Sequence, residues 1–331
     1  MKRYYEFMSP DSDQKLSTAV ALTAQWKNYI HYFDKEYWFA KKKSGNSKPF
    51  IVCTIVDSLG TAKQNNAWCV YRRVHFKKLF WFEYIIDFSA YTKSHGAESV
   101  KLYVKRHFLS TFYMNAVGPF IQTNVLEPLL YVCMALSKKY LLHASSVSKK
   151  GIVTAFAGHG GAGKTTTALN KCLREGYEFM GDDLVCIHVP KRTVTWFPRP
   201  LHLFWYNVFK IPLPRWFTPR IAFIRILCVI AIKNCIRFVF SMFTHEMLLI
   251  STRIDIRTLY PKLPMARVSK LGTIKTIGLK ADDVVESVRR ASDLRKDALA
   301  MIGALPKSFQ ARFLKNELET LKALQIYFET L

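Results

Sequence analysis

Between Gly158 and Asn170 the chain reads GHGGAGKTTTALN, and no other stretch leaves so few choices of local fold. Four glycines in the six residues from Gly158 to Gly163 cannot build a core, because each gives up backbone freedom without supplying a side chain to pack. Their use is to let successive backbone N–H groups turn inward, forming an anion-binding concavity at the start of a helix whose dipole also favours negative charge. Gly158, Gly163, Lys164 and Thr165 satisfy the pattern GxxxxGK[ST] of a P-loop. In such a loop Lys164 reaches the β and γ phosphates of a nucleotide, and Thr165 offers a hydroxyl to Mg²⁺. The flanks meet the structural condition of the motif. GIVTAFA, Gly151 to Ala157, is short and apolar enough for the strand before the loop, and KTTTALNKCLREG supplies the helix after it, stopped by Gly176.

Eighteen residues beyond Lys164 come Asp182 and Asp183, in the GDD on or at the end of the strand read from YEFMGDDLVCIHV. Consecutive strand residues face opposite sides, so a pair inside the strand buries one charge at a cost of several kcal/mol unless a metal or a donor compensates it. Two readings stand: the pair ends the strand in a solvated turn, or one carboxylate holds Mg²⁺ or its water while the other takes the proton of an attacking hydroxyl.

The run from Leu141 to Ile187, LLHASSV followed by GIVTAFAGHGGAGKTTTALNKCLREGYEFMGDDLVCI, resembles the catalytic domain of the HPr kinase/phosphorylase family. His143 stands where that family has a His before the P-loop strand. Arg174 to Tyr177 match its turn after the helix, and Asp182 with Asp183 match its acidic pair. The resemblance implies an α/β P-loop fold related to phosphoenolpyruvate carboxykinase, with ATP and Mg²⁺ as cofactors. It also implies transfer of the γ-phosphate to a hydroxyl of a protein, a peptide or a small metabolite. Carried over residue by residue, it gives Asp182 as proton acceptor and Asp183 as metal neighbour beside Thr165, with the exchanged roles left open, and His143 near the phosphates. Gly158, His159, Gly160, Gly161, Ala162, Gly163, Lys164, Thr165 and Thr166 would cradle the nucleotide. Thr166 stands where the family has Glu, and no GRN-type segment occurs between Arg253 and Lys280, so phosphorolysis is not expected and HPr is not implied as the acceptor.

At 331 residues, half of them apolar or aromatic, the chain can bury a substantial core. Its N-terminus has neither an apolar h-region nor a small-residue cleavage site, so no secretory signal is expected. Seven scattered cysteines, never spaced as CxxC, argue against a disulfide framework or a structural zinc site and fit a reducing cytoplasm. Residues Met1 to about Leu16 read as frayed and the next stretch to Ala40 as a helix. FIVCTIVDS, AWCVYRRVHF, LFWFEYIIDF and SVKLYVKRHF then read as an antiparallel meander. Asn124 and Glu127 read as a capping box before the helical pattern LEPLLYVCMALSKK. YLLHASSV, TVTWF and MARVSKLGTIKTIGL read as strands. A helix is expected over ADDVVESVRRASDLRKDALAMI, with Val284, Val288, Ala291, Leu294 and Ala298 on one face. Another is expected from about Lys307 to the end, with Phe313, Leu318, Leu321 and Leu324 inward. These elements suggest a smaller, mainly antiparallel β domain over 1–122 and a P-loop domain over 123–331.

The formal charge of +25 favours anionic company. Between Leu184 and His245 there are nine Lys or Arg and no Asp or Glu. The basic aromatic stretch 199–243 reads as an insertion, in which Arg225, Lys233 and Arg237 fall along one side of a helix from Ile221 to Phe243. Its apolar runs are too short to span a bilayer. An ordinary core helix, an interfacial helix on a membrane and a docking element for an acceptor or an acidic protein all remain open. No nucleic-acid motif accompanies the charge. The alternatives to a kinase are a nucleotide-binding module that docks through 199–243 and an ATPase without acceptor. The expected location is cytoplasmic or peripheral to a membrane, and homo-oligomerisation is left open.

Overall fold

The computed structural model describes residues 1–8, 16–42, 48–60, 66–76, 80–94, 98–111, 114–203, 224, 228–232, 235, 252–278 and 284–330. The protein is α/β, with open mixed sheets. It divides into two compact units, each assembled from separate stretches: Met1–Leu141, Cys186–Thr195 and Asp282–Ile326 in the first, Leu142–Val185, Trp196–Ala281 and Tyr327–Leu331 in the second. A single boundary at 122/123 does not describe this division, since the C-terminal helices belong with the N-terminal sheet. Among the described residues no helix is long and apolar enough to cross a membrane.

The first unit begins with β1 (Lys2–Met8), β2 (Leu16–Thr23), α1 (Lys27–Glu36), β3 (Lys41–Lys42), β4 (Lys48–Val56), β5 (Cys69–Phe76), β6 (Phe80–Asp87), α2 (Ser89–Lys93) and β7 (Val100–Lys105). The expected frayed N-terminus is therefore a strand, and the expected helix to Ala40 is a strand followed by a ten-residue helix. Burial of Tyr5 and Phe7 explains why so polar a segment holds its place. The seven strands lie in the order β3-β1-β2-β4-β7-β6-β5. β5, β6 and β7 are antiparallel neighbours, but β4 is parallel to both β2 and β7, so the expected meander is a mixed sheet. The alternation dictates which face is covered: Ile51, Cys53 and Ile55 of β4 and Val100, Leu102 and Val104 of β7 are buried, while the residues between them are half-buried or exposed.

On β6 the buried carboxylate of Glu83 accepts bonds from Lys105 Nζ (2.7 Å), Tyr71 Oη (2.7 Å) and Arg73 Nη2 (2.6 Å). The Lys105 ammonium and the Tyr71 hydroxyl are the main reasons that its pKa falls from 4.5 to about 2. A depressed carboxylate stabilises the fold above its unfolded value and loses that contribution as pH falls through the folded one. Lys105 and Arg73 are half in solvent, so we expect about 1–2 kcal/mol, present above pH 4.5 and gone near pH 2. Urea midpoints of the unaltered protein and Glu83→Gln should converge across that window. Parallel curves would remove the interaction from the account.

α3 (Met114–Ile121) runs through a π-helical turn, Gln122–Leu126, into α4 (Glu127–Leu136). The expected capping box is absent, because Asn124 lies inside the continuous helix and bonds back to the Phe120 carbonyl. Glu127 is instead buried, accepting from Gln122 Nε2 at 2.9 Å and from the Tyr37 hydroxyl at 3.4 Å.

β8 (Lys139–Leu142) leads to β9 (Ala144–Lys149) and β10 (Ile152–Gly158), then α5 (Lys164–Glu175), β11 (Glu178–Asp182), β12 (Val185–His188), β13 (Thr193–Thr195), β14 (Phe197–Pro198) and β15 (Leu201–Leu203). After the stretch that is mostly outside the described residues come β16 (Thr252–Ile254), α6 (Ile256–Leu259) and β17 (Val268–Ile277). Three runs read as single strands are thus divided, at His143, at Asp183 and at Trp196. The basic stripe of Arg225, Lys233 and Arg237 lies outside the described residues; within the same stretch Cys228 to Ile232 are helical and Ile230 is buried.

α7 (Val284–Ala291) and α8 (Asp293–Ile302) return to the first unit, where the expected single helix is broken at Ser292, whose hydroxyl caps α8 by accepting from Arg295 N. α9 (Lys307–Leu324) follows, ending before the terminus. Its inward row is Phe309, Phe313, Glu317, Leu321 and Leu324, with Leu318 only half-buried. In the second unit β18 (Phe328–Thr330) lies parallel to β17.

Candidate active site

Within the second unit the strand order is β14-β11-β9-β10-β17-β18. β9 is antiparallel to both β10 and β11, which therefore run the same way, and β17 and β14 run with them. The ends of β10, β11, β14 and β17 consequently meet at one edge, where ligands of open α/β sheets bind. The start of β9 lies there too. That edge carries the glycine loop, the acidic pair, Arg199, His143 and Ser145.

α5 is held against β9, β10 and β11 by Ala168, Leu169 and Cys172, which join Val147, Phe156 and Phe179 in the core. This packing fixes the height of the loop above the sheet. Gly163 stands before α5 at φ +89°, left-handed backbone that a Cβ would strain. At Gly158 the constraint is a close approach, since a Cβ there would sit 2.5 Å from the Ile277 carbonyl of β17. Gly176, at φ +70°, ends α5 as expected.

Lys164 is buried, and its ammonium donates to the carbonyls of Gly158 (2.8 Å) and His159 (2.9 Å), folding back over the loop. Burial lowers its pKa, against the opposing pull of Asp183 and Asp182. The Thr165 hydroxyl donates to the carboxylate of Asp182, 2.9 and 3.0 Å from its two oxygens. Ser145, also buried, donates to the same carboxylate. Asp182 is 6 % exposed, and burial, with the neighbouring Asp183, raises its pKa.

Asp183 does not continue the strand. Its φ of +69° turns the chain out of β11 and leaves its side chain 36 % exposed. The two carboxylates are thus separated by a backbone turn rather than by strand alternation. His143 Nε2 lies 3.7 Å from Asp183 Oδ1, and Arg199 Nη1 lies 3.7 Å from Asp183 Oδ2. His159, Gly160 and Gly161 are exposed at the rim, while Ala162, Gly163, Thr165 and Thr166 are half-buried.

The named residues from His143 to Asp183 therefore come together at one edge. Two more join them that the motifs do not announce. Ser145 stands two residues after His143, at the start of β9, in HASSV. Arg199, with which the basic stretch begins, has no local signal. It arrives because β14 lies parallel to β11 in the register Gly181↔Phe197 and Asp182↔Pro198.

The donor set of Thr165 hydroxyl and Asp182 carboxylate is all hard oxygen, and it fits Mg²⁺, which takes one or two protein ligands and completes its shell from water and phosphate. Among the described residues no group of three or more His, Cys, Asp or Glu is placed to hold a metal by itself. No protein-family model matches the chain, and no curated protein matches it.

Proposed function

We propose that the protein is an ATP-dependent phosphotransferase of the HPr-kinase-like type, moving the γ-phosphoryl group to a hydroxyl on a protein, a peptide or a small metabolite. The observation that carries this reading is the contact between Thr165 and Asp182. A P-loop hydroxyl and a carboxylate 17 residues away share a hydrogen bond at the end of parallel strands, which puts both oxygens within reach of one Mg²⁺. Thr165 and Asp182 would hold Mg²⁺ there, and the ion would supply charge neutralisation at the β and γ phosphates.

The contacts favour the exchanged roles for the acidic pair. Asp182 is buried against Thr165 and Ser145, which suits the metal side. Asp183 is turned toward solvent, where an acceptor hydroxyl enters, and serves as proton acceptor. His143 beside it orients that carboxylate. In the transfer, the acceptor oxygen bonds to the γ phosphorus as the bond to the bridging oxygen breaks. ADP leaves with that electron pair, and the hydroxyl proton passes to Asp183.

Lys164→Ala tests the nucleotide site. Without the ammonium, ATP affinity measured by calorimetry with Mg²⁺ is expected to fall about 10–100-fold, the worth of one charge-assisted bond. Label from γ-labelled ATP should no longer reach acceptors in a cell extract. ATP uptake equal to that of the unaltered protein would overturn the reading.

A further inference from the structure

Arg199 lies beyond the P-loop, the acidic pair and His143, yet it shares their edge of the sheet. It is 4 % exposed, and a guanidinium so buried is costly unless an anion answers it. Arg199 directly follows Pro198, which pairs with Asp182, and its Nη1 stands 3.7 Å from Asp183 Oδ2, longer than a charge-assisted hydrogen bond. Lys164 is the second buried cation at this edge, its ammonium folded over the glycine loop. Both cations rest on internal partners: Lys164 on two carbonyls of its own loop, and Arg199 with Asp183 among its partners.

Resting on the phosphotransferase reading above, we propose that Arg199 is a catalytic residue that leaves Asp183 to bind the equatorial oxygens of the phosphoryl group in flight. Lys164 comes from the loop side and Arg199 from the end of β14, so the transferred group is held by cations from two different strand ends. The planar fork of Arg199 matches the oxygens that carry charge in the transition state, and an arginine in this role is worth about 10³–10⁵ in rate elsewhere. Bonds change as already described, with no further reactant.

The test compares ADP with ADP plus aluminium fluoride, which mimics the phosphoryl group in transfer, both with Mg²⁺ and both by calorimetry. The unaltered protein should bind ADP and gain affinity with the fluoride. Arg199→Ala should bind ADP within about 3-fold of the unaltered protein and lose most of that gain; Arg199→Lys, which keeps the charge without the fork, should recover only part of it. A full gain in both variants overturns the role of Arg199 while leaving the nucleotide site standing. Failure of the unaltered protein to bind ADP overturns the nucleotide site, and this proposal with it. Binding of ADP with no gain from the fluoride overturns phosphoryl transfer. Should Arg199→Ala fail to fold, as far-UV circular dichroism would reveal, Arg199→Lys decides alone: a full gain there rejects the fork.

Discussion

Replacing Glu317 by alanine is expected to destabilise the first unit by about 3–5 kcal/mol, the range measured when one partner of a buried ion cluster is removed. Glu317 is completely buried on α9. Its Oε1 accepts from Arg295 Nε of α8 at 2.7 Å and from the Tyr131 hydroxyl of α4 at 2.6 Å, and Arg289 of α7 stands 3.5 Å from Oε2. The Tyr140 hydroxyl of β8 is 3.1 Å from that of Tyr131, and burial, with Tyr140 and Glu317 adding to it, pushes the Tyr131 phenol well above its ordinary pKa. One carboxylate thus answers two guanidiniums, and its removal leaves two partly buried like charges facing each other. Glu317→Gln keeps an acceptor oxygen for Tyr131 and Arg295 and should lose less. Urea denaturation of the two variants checks the order. An alanine variant within about 1 kcal/mol of the unaltered protein would mean that the arginines find other partners.

For Asp183→Asn the expected result is a fall in phosphoryl transfer of about 10²–10⁴-fold, the usual worth of a positioned general base, with ATP affinity nearly unchanged. Asp182→Asn should behave differently. It should weaken Mg²⁺-dependent ATP binding and at the same time make the protein without nucleotide more stable. The sign follows from its raised pKa: the fold holds the proton more tightly than the unfolded chain does, so ionised Asp182 costs stability increasingly as pH rises above 3.8, and a neutral amide is free of that cost. Thermal unfolding and calorimetry on both variants separate the roles. A stabilised Asp182→Asn that still binds ATP·Mg²⁺ normally, beside a fully active Asp183→Asn, would restore Asp182 as the base.

What could be read from the residues was what depends on neighbours in the chain. The loop, its strand and its helix are specified by adjacent glycines, by Lys164 and Thr165, and by the stop at Gly176. The acidic pair was visible, but its backbone turn was not, because φ +69° at a non-glycine residue is imposed by surroundings rather than by composition. Arg199 reads as part of the basic stretch because its place beside Asp183 comes from strand pairing. The parallel joins of β4 to β2 and β7 escaped for the same reason, since parallel strands require long connections that leave no turn signature. At Glu317 hydrophobicity misleads: the apolar pattern points Leu318 inward, whereas the helix turns a carboxylate into the interior because two arginines and a tyrosine wait there.

One strand, β9, runs against its neighbours between the glycine loop and the acidic pair. It acts as a shim: with neighbouring strands roughly 4.8 Å apart, it holds the ends of β10 and β11 about 10 Å from each other, a gap that side chains the size of Thr165 and Asp182 can just close from both sides. A further strand inserted there would part them, and its deletion would crowd them. In descendants of this chain the number of ribbons between those tips should therefore be harder to change than any residue within them.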